Sequence, residues 1–204
     1  MTDATQVTET AEAKRLLTLD ELMAMQGDDH VEIRNGEVFR MPGGTGRQHT
    51  YIMKNVFLAL HAYAEKSGLG EANPDNLIFL MYSSESSIAD SLIPDVSFVL
   101  TKNISQDWDV VKPYPGVPDL AVEIISPSET AHDIETKRLI YLKKGTQQVW
   151  LVYPKLHRVQ QYINGEAITY REYAETDTID ASPLLPDFTL ALADIFKLPP
   201  WAKS

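Results

Sequence analysis

The sequence predicts a single α/β domain organised around a mixed, partly parallel central sheet. Three observations lead there. After about residue 66 the spacing of apolar residues changes from three-and-four, the period of a helix face, to two, the period of a strand. A strand, helix, strand order over residues 119–153 requires a crossover connection, and such a connection makes its two strands parallel. The 204 residues, 44% of them hydrophobic, suffice for one sizeable core, and no repeat or linker divides them.

Residues 1–15 are polar and lack apolar periodicity, so they read as a frayed tail ahead of a domain over 16–204. Thr18 and Glu21 have capping-box spacing, and Leu19, Leu22 and Met23 supply an apolar stripe, so a short helix is expected over 18–26. HVEIRNGEVFRM (30–41) alternates on both sides of Asn35-Gly36, the pair that suits a type I′ hairpin. The Gly-rich segment 41–50 lacks the lysine-serine ending of a nucleotide-binding P-loop. Ile52, Met53, Val56, Phe57, Leu60 and Tyr63 then mark an amphipathic helix over 48–66.

NLIFLMY (76–82), LIPDVSFVL (92–100), DLAVEIIS (119–126) and QQVWLVY (147–153) read as strands rich in branched and aromatic residues. The last two flank a helix over 130–144 that stops at Gly145, a suitable left-handed cap, and SPSE (126–129) is expected to end the strand and cap that helix. RVQQYINGEAITYREY (158–173) repeats the Asn-Gly device and predicts a second hairpin at the sheet edge. Prolines 183, 186, 199 and 200 break the remaining chain around a short helix near 191–196.

Composition narrows the chemistry. Charged residues at 23% exclude wholesale disorder, and the absence of cysteine excludes disulfides, thiolate metal sites and a cysteine nucleophile. No apolar run reaches the ~18–20 residues of a membrane span, and the N-terminus has no signal-peptide core, so a cytoplasmic location is expected. The net charge of −11 disfavours passive binding of a polyanion. It disfavours a metal enzyme less, because a divalent cation held by carboxylates inverts the local field.

Two carboxylates stand out. Asp95 and Glu123 lie in runs apolar enough to be central strands, where an unpaired charge is costly, so each needs an arginine, backbone donors or an oxygen-ligated metal as partner. Pro94 removes a ladder hydrogen bond beside Asp95 and so marks an irregularity in the sheet. A carboxylate pair on neighbouring strands suits one Mg²⁺ or Mn²⁺ with retained waters, and phosphodiester hydrolysis uses such an ion together with an ammonium that steadies developing negative charge. Asp119 also follows a proline, and its place at the entrance of its strand points to a structural role. Trp108, Trp150 and Trp201 have the chemistry to stack on bases, although burial is the commoner fate of tryptophan.

Pro94-Asp95 and Glu123 resemble the signature of the restriction-endonuclease-like nucleases, Pro-Asp, a spacer, then an acid, any residue and lysine. More specifically, VEIRNGEVFRMPGG (31–44) with His49, IPDVSFV (93–99), PDLAVEIISPSE (118–129), YLKKG (141–145), VWLVYP (149–154) and LLPDFTLALADIF (184–196) resemble the Uma family of restriction endonuclease-like proteins. The resemblance spans about residues 18–196. It implies a restriction-endonuclease-like core, a mixed sheet flanked by helices with added hairpins, and a metal-dependent endonuclease acting on DNA. Position 125 is Ile125 where the superfamily has lysine, and the resemblance assigns that role to Lys137 on the following helix, with Tyr141 on the same helical face. Glu32 and His49 match further family positions as accessory residues. Without the resemblance Lys137 reads as a solvated helix lysine, Glu32 as a solvent-facing strand residue and His49 as a capping residue.

A second reading keeps the nuclease fold as a non-catalytic binding or assembly module acting as a homodimer, and metal affinity at the carboxylates separates the two. An acid pair acting on sugars would need a cleft with aromatic walls, which nothing in the sequence singles out.

Overall fold

The computed structural model describes residues 15–26, 30–41, 46–81, 84 and 86–202. Most of the expected 1–15 tail and the glycines at 43 and 44 therefore lie outside the described residues. The chain opens with α1 (Leu19–Met25), β1 (His30–Arg34), β2 (Glu37–Met41) and α2 (Arg47–Ser67). Next come β3 (Gly70–Pro74), β4 (Phe79–Met81), β5 (Asp90–Leu92), β6 (Val96–Leu100) and β7 (Leu120–Ile124). After α3 (Ala131–Lys144) follow β8 (Gln148–Tyr153), β9 (Arg158–Ile163), β10 (Thr169–Tyr173), β11 (Thr178–Asp180), β12 (Thr189–Ala191) and α4 (Leu192–Ile195).

The principal sheet has six strands in the order β10-β9-β8-β7-β6-β3. Only β7 and β8 are parallel, joined by the α3 crossover, and the other neighbours run antiparallel. A second sheet has the order β2-β1-β5-β4, and β11 pairs with β12 apart from both. Strand alternation divides the core. Leu120, Val122 and Ile124 of β7 join the cluster formed with Ile52, Val56 and Leu60 of α2. Ala121 joins Val149 and Leu151 in the cluster formed with Ile140, Tyr141 and Leu142 of α3. Glu123 shares the face of Ala121, so the strand period turns its carboxylate toward α3.

Local signals account for several boundaries. Thr18 and Glu21 form both halves of the capping box of α1. Asn35 and Gly36 adopt φ of 51° and 74°, as a type I′ turn requires. The serine-rich stretch before α3 does not supply its cap. Thr130 does, in a reciprocal pair with Asp133, and Gly145 closes the helix at φ 110°. Ser126 and Ser128 instead bond to each other and within their own turn.

Three expectations are corrected. LIPDVSFVL is two strands: Pro94 lacks an N–H for the ladder, the chain turns at Asp95, and β5 and β6 fall in different sheets. The strand expected over 76–82 shortens to Phe79–Met81 and belongs to the second sheet. Asn164-Gly165 makes no two-residue turn, since neither has positive φ and the register leaves a five-residue connection, 164–168. The Asn164 amide instead donates to the carbonyls of Leu142 and Thr146, tying the connection to the end of α3. The strand β3 was not anticipated, because GEANP carries no alternating pattern. Gly70 within it fits only without a side chain, as a Cβ there would stand 2.3 Å from the Val99 carbonyl oxygen.

Candidate active site

The sheet opens where β6 begins. Pairing of β6 with β7 stops at Val96 opposite Val122, so Glu123 and Ile124 have no partner strand on that side. Asp95 takes the vacated position, and its Oδ2 accepts the Ile124 N–H at 2.6 Å. The acid thus lies in the break between strands, partly exposed, rather than within a strand as expected. It stands beside Glu123 because its own carboxylate replaces a missing ladder bond.

Glu123 is buried against α3. Its Oε2 accepts the Lys137 ammonium in a close ion pair, and its Oε1 accepts the Tyr141 hydroxyl at 2.7 Å. Residues 137 and 141 are one helical turn apart, so α3 offers both donors from one face. Lys137 is only 5% exposed, which removes the reading of it as a solvated helix lysine. Its ammonium also lies 3.6 Å from Glu32 Oε1. Burial alone would lower its pKa, but the charges of Glu123 and Glu32 outweigh burial and hold the proton on.

Glu32 is buried too, and does not face water. Its Oε1 accepts the Ile93 N–H at 3.1 Å, and its Oε2 accepts Arg34 Nε at 3.0 Å and a terminal guanidinium nitrogen at 2.6 Å. Arg34 reaches Asp133 as well, at 3.4 Å. The match is geometric: Glu32 and Arg34 are two apart on a strand, about 6.6 Å, and Lys137 and Asp133 four apart on a helix, about 6 Å. Arg34 went unremarked in the sequence. Its signal was that equality of spacing between two opposite charge pairs.

His49, in the first turn of α2, places Nε2 3.2 Å from Asp95 Oδ1. Burial would lower the imidazole's pKa, and the hydrogen bond and charge of Asp95 outweigh it, raising the value overall. Its Nδ1 is a buried polar atom without a partner among the described residues. Five of the six expected residues, Glu32, His49, Asp95, Glu123 and Lys137, line one pocket of about 830 Å³, with Tyr141 behind Glu123. His30 and Asp75, which the sequence did not single out, stand 3.6 Å apart in the same lining. Asp119 lies at the far end of β7. It accepts Leu100 N–H, the Asn103 amide and the Gln147 amide, a structural anchor as expected.

The pocket is acidic. Glu32, Asp75, Asp95, Glu123 and Glu129 outnumber Lys137 and Lys155. Burial, and the charges of Asp95 and Glu32, push the Glu123 carboxyl up, against the opposing pull of the Lys137 ammonium. Such crowding favours a cation. Among the described residues no three His, Cys, Asp or Glu side chains form a metal-holding group; the carboxylates that meet where the sheet opens are those of Asp95 and Glu123. Hard oxygen donors of that number fit Mg²⁺ or Mn²⁺, which bind through one or two carboxylates and keep waters. Each carboxylate oxygen has a second lone pair beyond the one its present partner uses.

A family profile described as "Uma2: Putative restriction endonuclease" matches residues 16–193. A solved structure described as "a putative nuclease belonging to DUF820", from Anabaena variabilis, superposes with a TM-score of 0.73 at 20% identity, covering 88% of this chain and 97% of the other. At that identity the likeness establishes the fold. No curated protein matches. Among the described residues no helix is long and apolar enough to cross a membrane.

Proposed function

Because the chain belongs to the Uma2 family of restriction endonuclease-like proteins, we propose that it is a metal-dependent endonuclease that hydrolyses phosphodiester bonds in DNA. The observation that carries this reading is the buried Lys137 ammonium, held between Glu123 and Glu32 at a pocket that also presents Asp95 from the open end of the sheet. Asp95 and Glu123 would hold Mg²⁺ or Mn²⁺. A bound ion there would supply Lewis acidity toward a phosphoryl oxygen and a more acidic water.

The chain's own groups carry the rest. Lys137 keeps its proton because three carboxylates surround it, so it offers a fixed positive charge where negative charge develops on the phosphoryl group. Glu32 and Tyr141 fix the positions of Lys137 and Glu123, so that little reorganisation is needed during reaction. His49 holds the second oxygen of Asp95. The acidic pocket repels bare phosphate, which makes cleavage dependent on added metal.

The test is cleavage of plasmid and single-stranded DNA with Mg²⁺ or Mn²⁺ by the wild type, Asp95→Asn and Lys137→Met. Metal-dependent cleavage lost in both folded variants is the expected result, and full activity in either overturns the assignment of that residue. The alternative of a non-catalytic homodimeric module draws on the fact that every oxygen of Asp95 and Glu123 already has a protein partner. A folded wild type that neither binds metal nor cleaves would leave a nuclease fold without nuclease chemistry, and a dimeric mass in solution would then support that alternative.

A further inference from the structure

Outside the pocket, one surface combines exposed aromatic and cationic groups. Arg47, Tyr51 and Lys54 recur at four and three along α2 and so form one stripe, about 10 Å long at 1.5 Å per residue. Trp201 joins it: its ring lies 5.9 Å from the Arg47 guanidinium and meets Tyr51 edge-on at 6.1 Å between centroids. Lys54 places its ammonium 4.9 Å from the Tyr51 ring centre. The location of Trp201 is set by Asn55, whose amide donates to the carbonyls of Ile195 and Lys197 and ties the end of the chain to α2.

The three tryptophans have separate fates. Trp150 is fully buried, Trp108 is packed edge-on against Tyr114, and Trp201 is 63% exposed. An exposed indole gains nothing from the core. Here the exposed Arg47 lies beside it and the exposed Lys54 lies over its neighbour Tyr51, in a chain of net charge −11, with no acidic side chain in the first turn of α2. That turn also contributes Gln48 and His49 to the pocket lining, so the stripe begins at the pocket mouth.

We propose that the Arg47–Tyr51–Lys54–Trp201 stripe is a docking surface for an unpaired stretch of DNA strand leading into the pocket, with a base stacked on Trp201 and phosphates at Arg47 and Lys54. This rests on the endonuclease reading and adds to it the state of the substrate. A base reaches an exposed ring face only when it is free of its duplex neighbours, whereas the cations serve any phosphate backbone. The stripe therefore selects single-stranded or locally opened DNA over a closed duplex.

The experiment measures binding of a fluorescein-labelled oligothymidylate, and of a duplex of equal length, to the full chain at low salt with chelator present to prevent cleavage. Intrinsic tryptophan fluorescence is read in parallel. The wild type is expected to bind the single strand more tightly than the duplex, with quenching of Trp201. Trp201→Ala should lose the quench and about fivefold or more of single-strand affinity, the range for removing one stacked base. Arg47→Ala should weaken binding of both probes and flatten the salt dependence.

Equal single-strand affinity in Trp201→Ala, no single-strand binding by the wild type, or preference for duplex would each overturn the proposal. So would a quench that grows with protein concentration without DNA, which would mark a second copy of the chain as the occupant. The two readings fail separately. Cleavage with binding indifferent to Trp201 removes the docking surface and leaves the nuclease, whereas Trp201-dependent binding without cleavage removes the nuclease and leaves the surface.

Discussion

The carboxylate of Asp95 accepts the backbone N–H of Ile124 at 2.6 Å, so an acid from the break between β5 and β6 completes the ladder of β7 at the residue after Glu123. That bond explains why two acids far apart in sequence share a site. It also makes Asp95→Asn an informative variant, because an amide oxygen still accepts the Ile124 N–H while one negative charge is removed.

Removing Arg34 should cost stability more than its place on a hairpin suggests. In Arg34→Met the Glu32 carboxylate keeps the Ile93 N–H and the more distant Lys137 but loses its guanidinium partner in a buried setting. Breaking such a pair costs about 3–5 kcal/mol. Urea unfolding should show a loss near the lower end, because Lys137 remains, and a loss below about 1 kcal/mol would contradict the network.

The His49–Asp95 contact gives the metal-free protein a characteristic pH dependence. The hydrogen bond and charge of Asp95 hold the imidazole above its usual value of about 6.5 despite burial. From about that value upward the native state retains a proton that the unfolded chain has released, so stability falls as pH rises through the folded value and levels off above it. Calorimetry in chelator should show the wild type losing Tm relative to His49→Gln as pH rises through neutrality, and a flat or opposite difference would refute it.

Thr130→Ala tests the helix that carries Lys137 and Tyr141. The Thr130 hydroxyl accepts the Asp133 N–H, and loss of an N-cap costs about 1 kcal/mol. Thr130→Ser should restore it in the same denaturation experiment, while an unchanged Thr130→Ala would show that packing alone holds α3.

The sequence exposed much of this arrangement where the signal was local. Asn35-Gly36 specified its turn because those two residues alone determine it, and the central strands β7 and β8 with their crossover helix followed from apolar period. The identical dipeptide Asn164-Gly165 misled, because tertiary bonds from Asn164 to the end of α3 outweigh its turn preference. Pro94 marked an irregularity, but not that the chain changes sheets there. Glu32 and Arg34 alternate with Val31 and Ile33, a pattern that normally places them in water. They are buried because α3 covers that face, and the packing of distant elements leaves no mark within a single strand. Lys137 became legible only through family resemblance, since burial of a helix lysine depends on the same packing.

The most direct test of the account is isothermal titration of Mn²⁺ into the wild type and Asp95→Asn, with thermal unfolding to verify both folds. The wild type is expected to show one binding site, and the variant a loss of at least about tenfold in affinity at nearly unchanged Tm. Absence of binding in the wild type, or equal affinity in Asp95→Asn, would contradict a metal site built on Asp95 and Glu123.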